Sequence, residues 1–169
     1  MTNFKNDYQL IERLARTAHA IFCEELRARG YRYGEQISKS DKTHNSLKPY
    51  DELSEDEKLQ NRDNVRDIPD KLDYLGYRLQ LKSEDDQIFR FNEDEIEVLA
   101  EKEHARWVRQ KQENGWRYGS ATDKSRMLHR DLVPWNELTE SDKEKDRFMV
   151  RAIPRIVEKA GYLIVHRKM

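Results

Sequence analysis

His104 and Trp107 stand three residues apart, and His19 and Phe22 repeat that spacing earlier in the chain. On a helix the spacing puts both side chains of a pair on one face. There a flat ring beside an imidazole can form a wall for a planar base, and base–aromatic stacking is worth about 1–3 kcal/mol. The same residue types also suit a core aromatic whose histidine bonds a backbone carbonyl, and the spacing alone leaves both readings open. Arg32, Lys39, Arg117 and Lys124 fall in two stretches rich in tyrosine, tryptophan and glycine. Beside an aromatic wall such cations suit phosphate or pyrophosphate, arginine as a bidentate fork and lysine as a point charge. Salt bridges to acidic residues such as Glu57 and Asp142 are the alternative for any one of them. Lys111, shortly after Trp107, is a further cation expected near the mouth of such a site.

Other chemistry finds less support. His44 and His129 could act as bases, but no nucleophile and orienting acid accompany them at a suggestive spacing. The five histidines and the single Cys23 form no short-spaced ligand set, so neither a metal, nor a cofactor, nor an enzyme activity is expected. Cys23 reads as a small apolar contact on a helix. Lys and Arg number 32 against 33 Asp and Glu, which gives no global basic field for nucleic acid. With no long apolar run and no leader-like start, the chain is expected to be soluble and cytoplasmic, without a membrane partner.

The elements that must carry these residues occur twice. The stretch GYRYGEQISKSDKTHNSLKPY, 30–50, matches GWRYGSATDKSRMLHRDLVPW, 115–135, at a constant offset of 85. The match extends outward from Ile11/Ile96 to Tyr77/Tyr162, with about 25 identities over about 67 positions, so the chain is a tandem repeat. Each copy predicts a first helix, over about 7–29 and 94–114, in which Ile11, Leu14, Ala18, Ile21 and Phe22 form an apolar stripe. Gly30 and Gly115 fit the position just past a helix end. A second helix is predicted from capping signals, Ser54 with Glu57 and Thr139 with Asp142, and should break or restart at Pro69 and Pro154.

Gly76 and Gly161 end the second helix, and 77–81 and 162–166 read as short strands. The intervening loops, about 20 residues each, are expected to be ordered. Burial of Trp116, Tyr118, Pro134 and Trp135, and of Tyr33 in the first copy, should pin them, with Gly34 and Gly119 permitting turns. The copies are taken as 7–81 and 93–166, joined by a polar linker at 82–92 in which IFRF is a possible strand. With 38% charged residues and a mean hydropathy of −1.09, the chain suits solvated helices better than a doubly buried sheet. The fold class is therefore mainly α: two α-helical repeats in one globular unit, packed about a pseudo-twofold axis.

The second copy resembles the repeat found in tandem in ryanodine receptors and in stand-alone prokaryotic and viral proteins. The resemblance rests on His104, Trp107, Gly115, Trp116, Tyr118, Gly119, His129, Leu132, Val133, Pro134, Trp135, Gly161 and Tyr162. The first copy diverges, with Phe22, Tyr31 and Lys48 in place of Trp107, Trp116 and Val133. The resemblance implies a helical fold without catalytic chemistry, and a cleft between copies that holds an adenine nucleotide or drug-like ligand beside the helix tryptophans. Stand-alone members look like sensors or binders of nucleotide-derived signals. One feature departs: the arginine often found in the loop is Ile37 in one copy and Thr122 in the other, which leaves any phosphate contact there to Lys39 and Lys124.

The expected function is therefore non-enzymatic binding of an adenine nucleotide or ADP-ribose-type signal. Its site would comprise His19, Phe22, Arg32, Lys39, His104, Trp107, Lys111, Arg117 and Lys124, with Phe22 and Trp107 on facing walls. A protein-interaction module using the aromatic-basic loops is the competing expectation.

Overall fold

Helix starts and stops follow local chemistry in the computed structural model, which describes residues 4–167. Helix α1 (Tyr8–Ala28) begins where the Asp7 side chain accepts the Leu10 N–H at 3.0 Å, and its buried stripe runs through Ile11, Leu14, Ala18 and Ile21. Gly30, at φ 87°, turns the chain out of it. Two-residue strands β1 (Arg32–Tyr33) and β2 (Thr43–His44) then pair in parallel. The Ser54 hydroxyl caps α2 (Glu55–Arg66) by accepting the Glu57 N–H at 3.2 Å. The Glu57 carboxylate, expected to close a capping box, instead accepts the Ser46 hydroxyl at 3.2 Å. Pro69 lies in the first turn of α3 (Ile68–Tyr74), where its missing N–H costs nothing, and β3 (Tyr77–Leu81) follows.

The second repeat runs through α4 (Glu93–Glu113), β4 (Arg117–Tyr118), β5 (Leu128–His129), α5 (Glu140–Arg151), α6 (Ile153–Lys159) and β6 (Tyr162–His166). Asn92 and Glu95 form a reciprocal capping box on α4, with bonds of 2.8 and 2.9 Å. The expected IFRF strand is absent. Its two phenylalanines serve as packing pegs, with the Phe89 ring centroid 4.8 Å from that of Tyr77 and Phe91 buried, while Ile88 is exposed.

The structural units do not coincide with the repeats. Described residues of Met1–Phe89 and Ala152–Met169 form one unit, and Arg90–Arg151 form the other. In the first unit α1 packs on α2 and on α6, around Leu14, Val65, Leu72, Ile156 and Val157. Strand β3 pairs antiparallel with β6, placing Tyr77 opposite His166, Leu79 opposite Ile164 and Leu81 opposite Tyr162. Leu79 and Ile164 are equivalent in the two repeats, so the ribbon is centred on matching residues. Ion pairs Lys82–Glu158 at 2.6 Å and Arg155–Glu24 at 2.9 Å flank this packing. The last helix and strand of the second repeat thus complete the first unit. In the second unit α4 packs on α5 over Leu99, Ala100 and Val150. There Arg147 grips Glu97 at 2.8 and 3.0 Å, as Arg62 bonds Glu12 at 2.8 Å in the first unit.

The long loops are held by backbone bonds rather than by tyrosine burial. Arg117 N–H donates to the Met127 carbonyl at 3.0 Å, and Asp123 and Leu128 exchange bonds of 2.9 Å. Arg32 with Lys42, and Ser38 with Thr43, repeat the pattern. Tyr33 and Tyr118, expected to be buried, are 51% and 59% exposed, and Pro134 is exposed as well. The tyrosines lie on two-residue strands that are exposed at both positions, while Leu47, Tyr50 and Leu132 are buried. The need for Gly34 and Gly119 is also not the expected turn. A Cβ at Gly34 would lie 2.7 Å from Thr43 Cβ, and one at Gly119 would lie 2.8 Å from Leu128 Cβ.

Candidate functional site

Helical spacing brings each histidine–aromatic pair together as expected. On α4, His104 and Trp107 stack with centroids 5.8 Å apart and planes at 27°. On α1, His19 and Phe22 lie 6.2 Å apart at 30°. Both histidines are buried, and each places Nε2 on a carbonyl: His19 on Lys48 at 2.8 Å, His104 on Val133 at 2.7 Å. The carbonyl anchor, weighed as the bland alternative, is present in both. Trp107 and Phe22 stay half-buried and keep part of each ring accessible.

A second histidine reaches each ring from the loop. His129 stands edge-on to Trp107 at 4.8 Å and 78°, and lies 6.4 Å from Trp116. His44 stands edge-on to Phe22 at 5.4 Å and 77°. Each is set by a backbone donor to Nδ1 at 3.0 Å, from Asp131 in one case and Ser46 in the other. Sequence reading weighed these histidines only as bases and missed them as parts of the aromatic clusters. Their constant repeat offset was the available signal.

The predicted cations divide. Lys111, on the turn of α4 after Trp107, is buried with its Nζ over the Trp116 ring at 4.4 Å, a cation–π contact rather than a position at an open mouth. Arg32, Lys39, Arg117 and Lys124 are exposed along the loops. Pairing of β4 with β5 sets Tyr118 opposite His129, which puts Arg117 one residue from that register. Arg32 holds the same relation to His44. Lys124 opens a short 3-10 turn at Lys124–Arg126. Among the described residues no carboxylate pairs with Arg32, Arg117 or Lys124, so the salt-bridge alternative does not apply to these three.

Charge around the two clusters differs. The second repeat carries Glu103, Asp131, Asp142 and Asp146 where the first has Ala18, Ser46, Glu57 and Asn61. Burial, aided by the neighbouring Glu103 and Asp131 carboxylates, pushes the Asp146 carboxyl up to about 8. Its Oδ2 lies 3.7 Å from His104 Nδ1. Asp131 is raised by burial and by Asp142. His129 moves the other way, down to about 4, through burial first and then Lys111, Lys145 and Arg130. In the first cluster burial raises the Cys23 thiol, which lies 3.3 Å from His19 Nε2. Among the described residues no group of three or more histidine, cysteine or carboxylate side chains is arranged to hold a metal ion, and no helix is long and apolar enough to cross a membrane.

A family model described as RyR domain matches residues 4–81 and 87–166, two tandem copies that take up nearly the whole chain. The chain belongs to the RyR domain family.

Proposed function

We propose that this tandem RyR-domain protein binds a nucleotide-derived ligand, an adenine nucleotide or an ADP-ribose-type molecule, without transforming it. It would act as a sensor, or as a sponge that sequesters the ligand. The observation that carries this reading is the Trp107 cluster: a half-buried indole with one histidine stacked at 5.8 Å and another edge-on at 4.8 Å. Such a ring offers a planar base a stacking surface, and Arg117, one register position from His129, offers phosphate an unpaired guanidinium. The Phe22 cluster offers a smaller version, with Arg32 in the equivalent place.

Thermal shift with ADP-ribose and ATP tests the reading, because a ligand of the folded state raises the melting temperature with concentration. Trp107→Ala should weaken binding about tenfold to a hundredfold. Lys124→Ala should weaken it more at low salt than at high salt. Unchanged binding by a folded Trp107→Ala protein would remove the stacking surface from this account.

A second reading, docking of a partner protein, is favoured by the exposed Tyr33 and Tyr118 beside Arg32 and Arg117. It takes precedence if millimolar nucleotide leaves the melting temperature unmoved.

A further inference from the structure

We infer that His129 is the specificity-determining residue of the second-repeat cluster: its Nε2–H donates to an uncharged acceptor, a ring nitrogen or carbonyl oxygen, on the heterocycle that Trp107 receives. The inference rests on the nucleotide reading above and assigns one contact within it.

The tautomer follows from the backbone. The Asp131 N–H donates to Nδ1 at 3.0 Å, so Nδ1 presents its lone pair and the ring proton sits on Nε2. Among the described residues no hydrogen-bond partner takes up that Nε2–H. His104, the other histidine on Trp107, differs: its Nε2 is held by the Val133 carbonyl at 2.7 Å and its Nδ1 faces Asp146 at 3.7 Å. His104 therefore anchors the cluster, while His129 has a donor to offer. The imidazole stands at 78° to the indole with centroids 4.8 Å apart, so it touches Trp107 edge-on rather than stacked, close to any heterocycle that the indole receives. The arrangement recurs at His44, set by the Ser46 N–H at 3.0 Å and edge-on to Phe22, although the flanking residues differ.

The surroundings keep this donor neutral. Lys111 from α4, Lys145 from α5 and Arg130 from the loop all oppose a positive imidazole, and Asp142 on α5 only partly offsets them. With burial they hold His129 down to about 4. A cation is thus withheld at the His129 N–H, while Arg117 and Lys124 carry charge elsewhere on the loop. A neutral, fixed donor discriminates by hydrogen-bond geometry, because a ligand lacking the acceptor leaves the donor unpaired.

The test titrates ADP-ribose, whose diphosphate keeps a constant charge near neutrality, and its 1-, 3- and 7-deaza-adenine analogues. Wild type and His129→Phe, which keeps a flat ring without the donor, are compared. His129→Phe should bind ADP-ribose about tenfold more weakly. One deaza analogue should lose about the same factor on wild type and nothing further on His129→Phe. The ratio of the two proteins' affinities should stay constant from pH 5.5 to 8. In 15N-detected imidazole spectra of the wild type, saturating ADP-ribose should shift the Nε2–H and slow its exchange, a readout that needs no variant. Equal affinity of wild type and His129→Phe, a ratio that grows on acidification, or an Nε2–H unmoved at saturation would each overturn the assignment while leaving the nucleotide reading intact. A wild type that binds no probe at millimolar concentration would overturn both.

Discussion

Asp146 and His129 tie the stability of the second unit to pH in opposite directions. An aspartate in an unfolded chain titrates near about 3.9, whereas burial and the Glu103 carboxylate carry folded Asp146 up to about 8. Between these values the folded chain holds a proton the unfolded chain has lost, so this stability is complete at low pH and falls as pH rises to about 8. Asp146→Asn keeps the shape without the charge, and Asn61 already fills the equivalent place with its amide donating to the Glu57 carbonyl at 3.1 Å. Urea melts should find that variant more stable by roughly 1–3 kcal/mol at pH 8 and little changed at pH 4. His129 titrates near about 6.5 when unfolded and about 4 when folded, so its contribution is complete above the first value and lost as pH falls toward the second. His129→Phe should flatten that acid limb in the same melts. The sequence made part of this cluster readable. His104 and Trp107 share a helix, where spacing dictates a common face. His129 is distant in sequence from Trp107, and its neutral state depends first on burial and then on Lys111 and Lys145 from two helices, which no local pattern records.

Helices and terminal strands were readable because each bound is made by its own neighbours: Ser54 and Thr139 as caps, Gly30 and Gly115 as stops, Pro69 and Pro154 as restarts. The loops were less so. A two-residue strand such as Arg117–Tyr118 has no period, and its partner lies beyond a left-handed residue, Met127 at φ 56°, that nothing in the sequence marks. The paired loops instead depend on close backbone approach, which makes Gly34 and Gly119 the sensitive positions. Gly119→Ala would force a Cβ to within 2.8 Å of Leu128 Cβ, and separating the strands should cost about 1–3 kcal/mol. Amide exchange should quicken at Arg117 and Gly119, which bond Met127 and His129 across the gap, while the amides of α4 stay protected. Equal exchange in both proteins would show that the loop is held by other contacts. At the other end of the same repeat, Asn92→Ala removes the side-chain oxygen that accepts the Glu95 N–H, leaves the Asn92 N–H free to donate to Glu95, and should cost about 1 kcal/mol in denaturant melts.

The least readable feature is the use of α6 and β6 by the first unit, because periodicity describes a strand without naming its ladder partner. Strand β3 is satisfied across five positions by β6, and α6 packs on α1, so the first unit depends on residues far away in the chain. Ile153, Ile156, Val157, Leu163 and Ile164 are all buried. Each is worth about 1.5–3 kcal/mol on burial, so together they rival the roughly 5–15 kcal/mol by which a whole domain is stable. Ending the chain at Arg151 should therefore unfold α1–β3 rather than merely fray a terminus. Arg90–Arg151 keeps its own α4–α5 core of Leu99, Ala100 and Val150 and should retain slow amide exchange there. A peptide of 152–167 added in trans should restore amide protection at Arg78, Gln80 and Lys82, which stand opposite Val165, Leu163 and Gly161 at the hydrogen-bonded positions of the ribbon. Replacing Leu163 and Ile164 with aspartate in that peptide should abolish the rescue, because buried unpaired carboxylates cost several kcal/mol. If the truncated chain instead keeps α1 and α2 fully protected, the first repeat carries a sufficient core of its own, and the shared ribbon adds little to its stability.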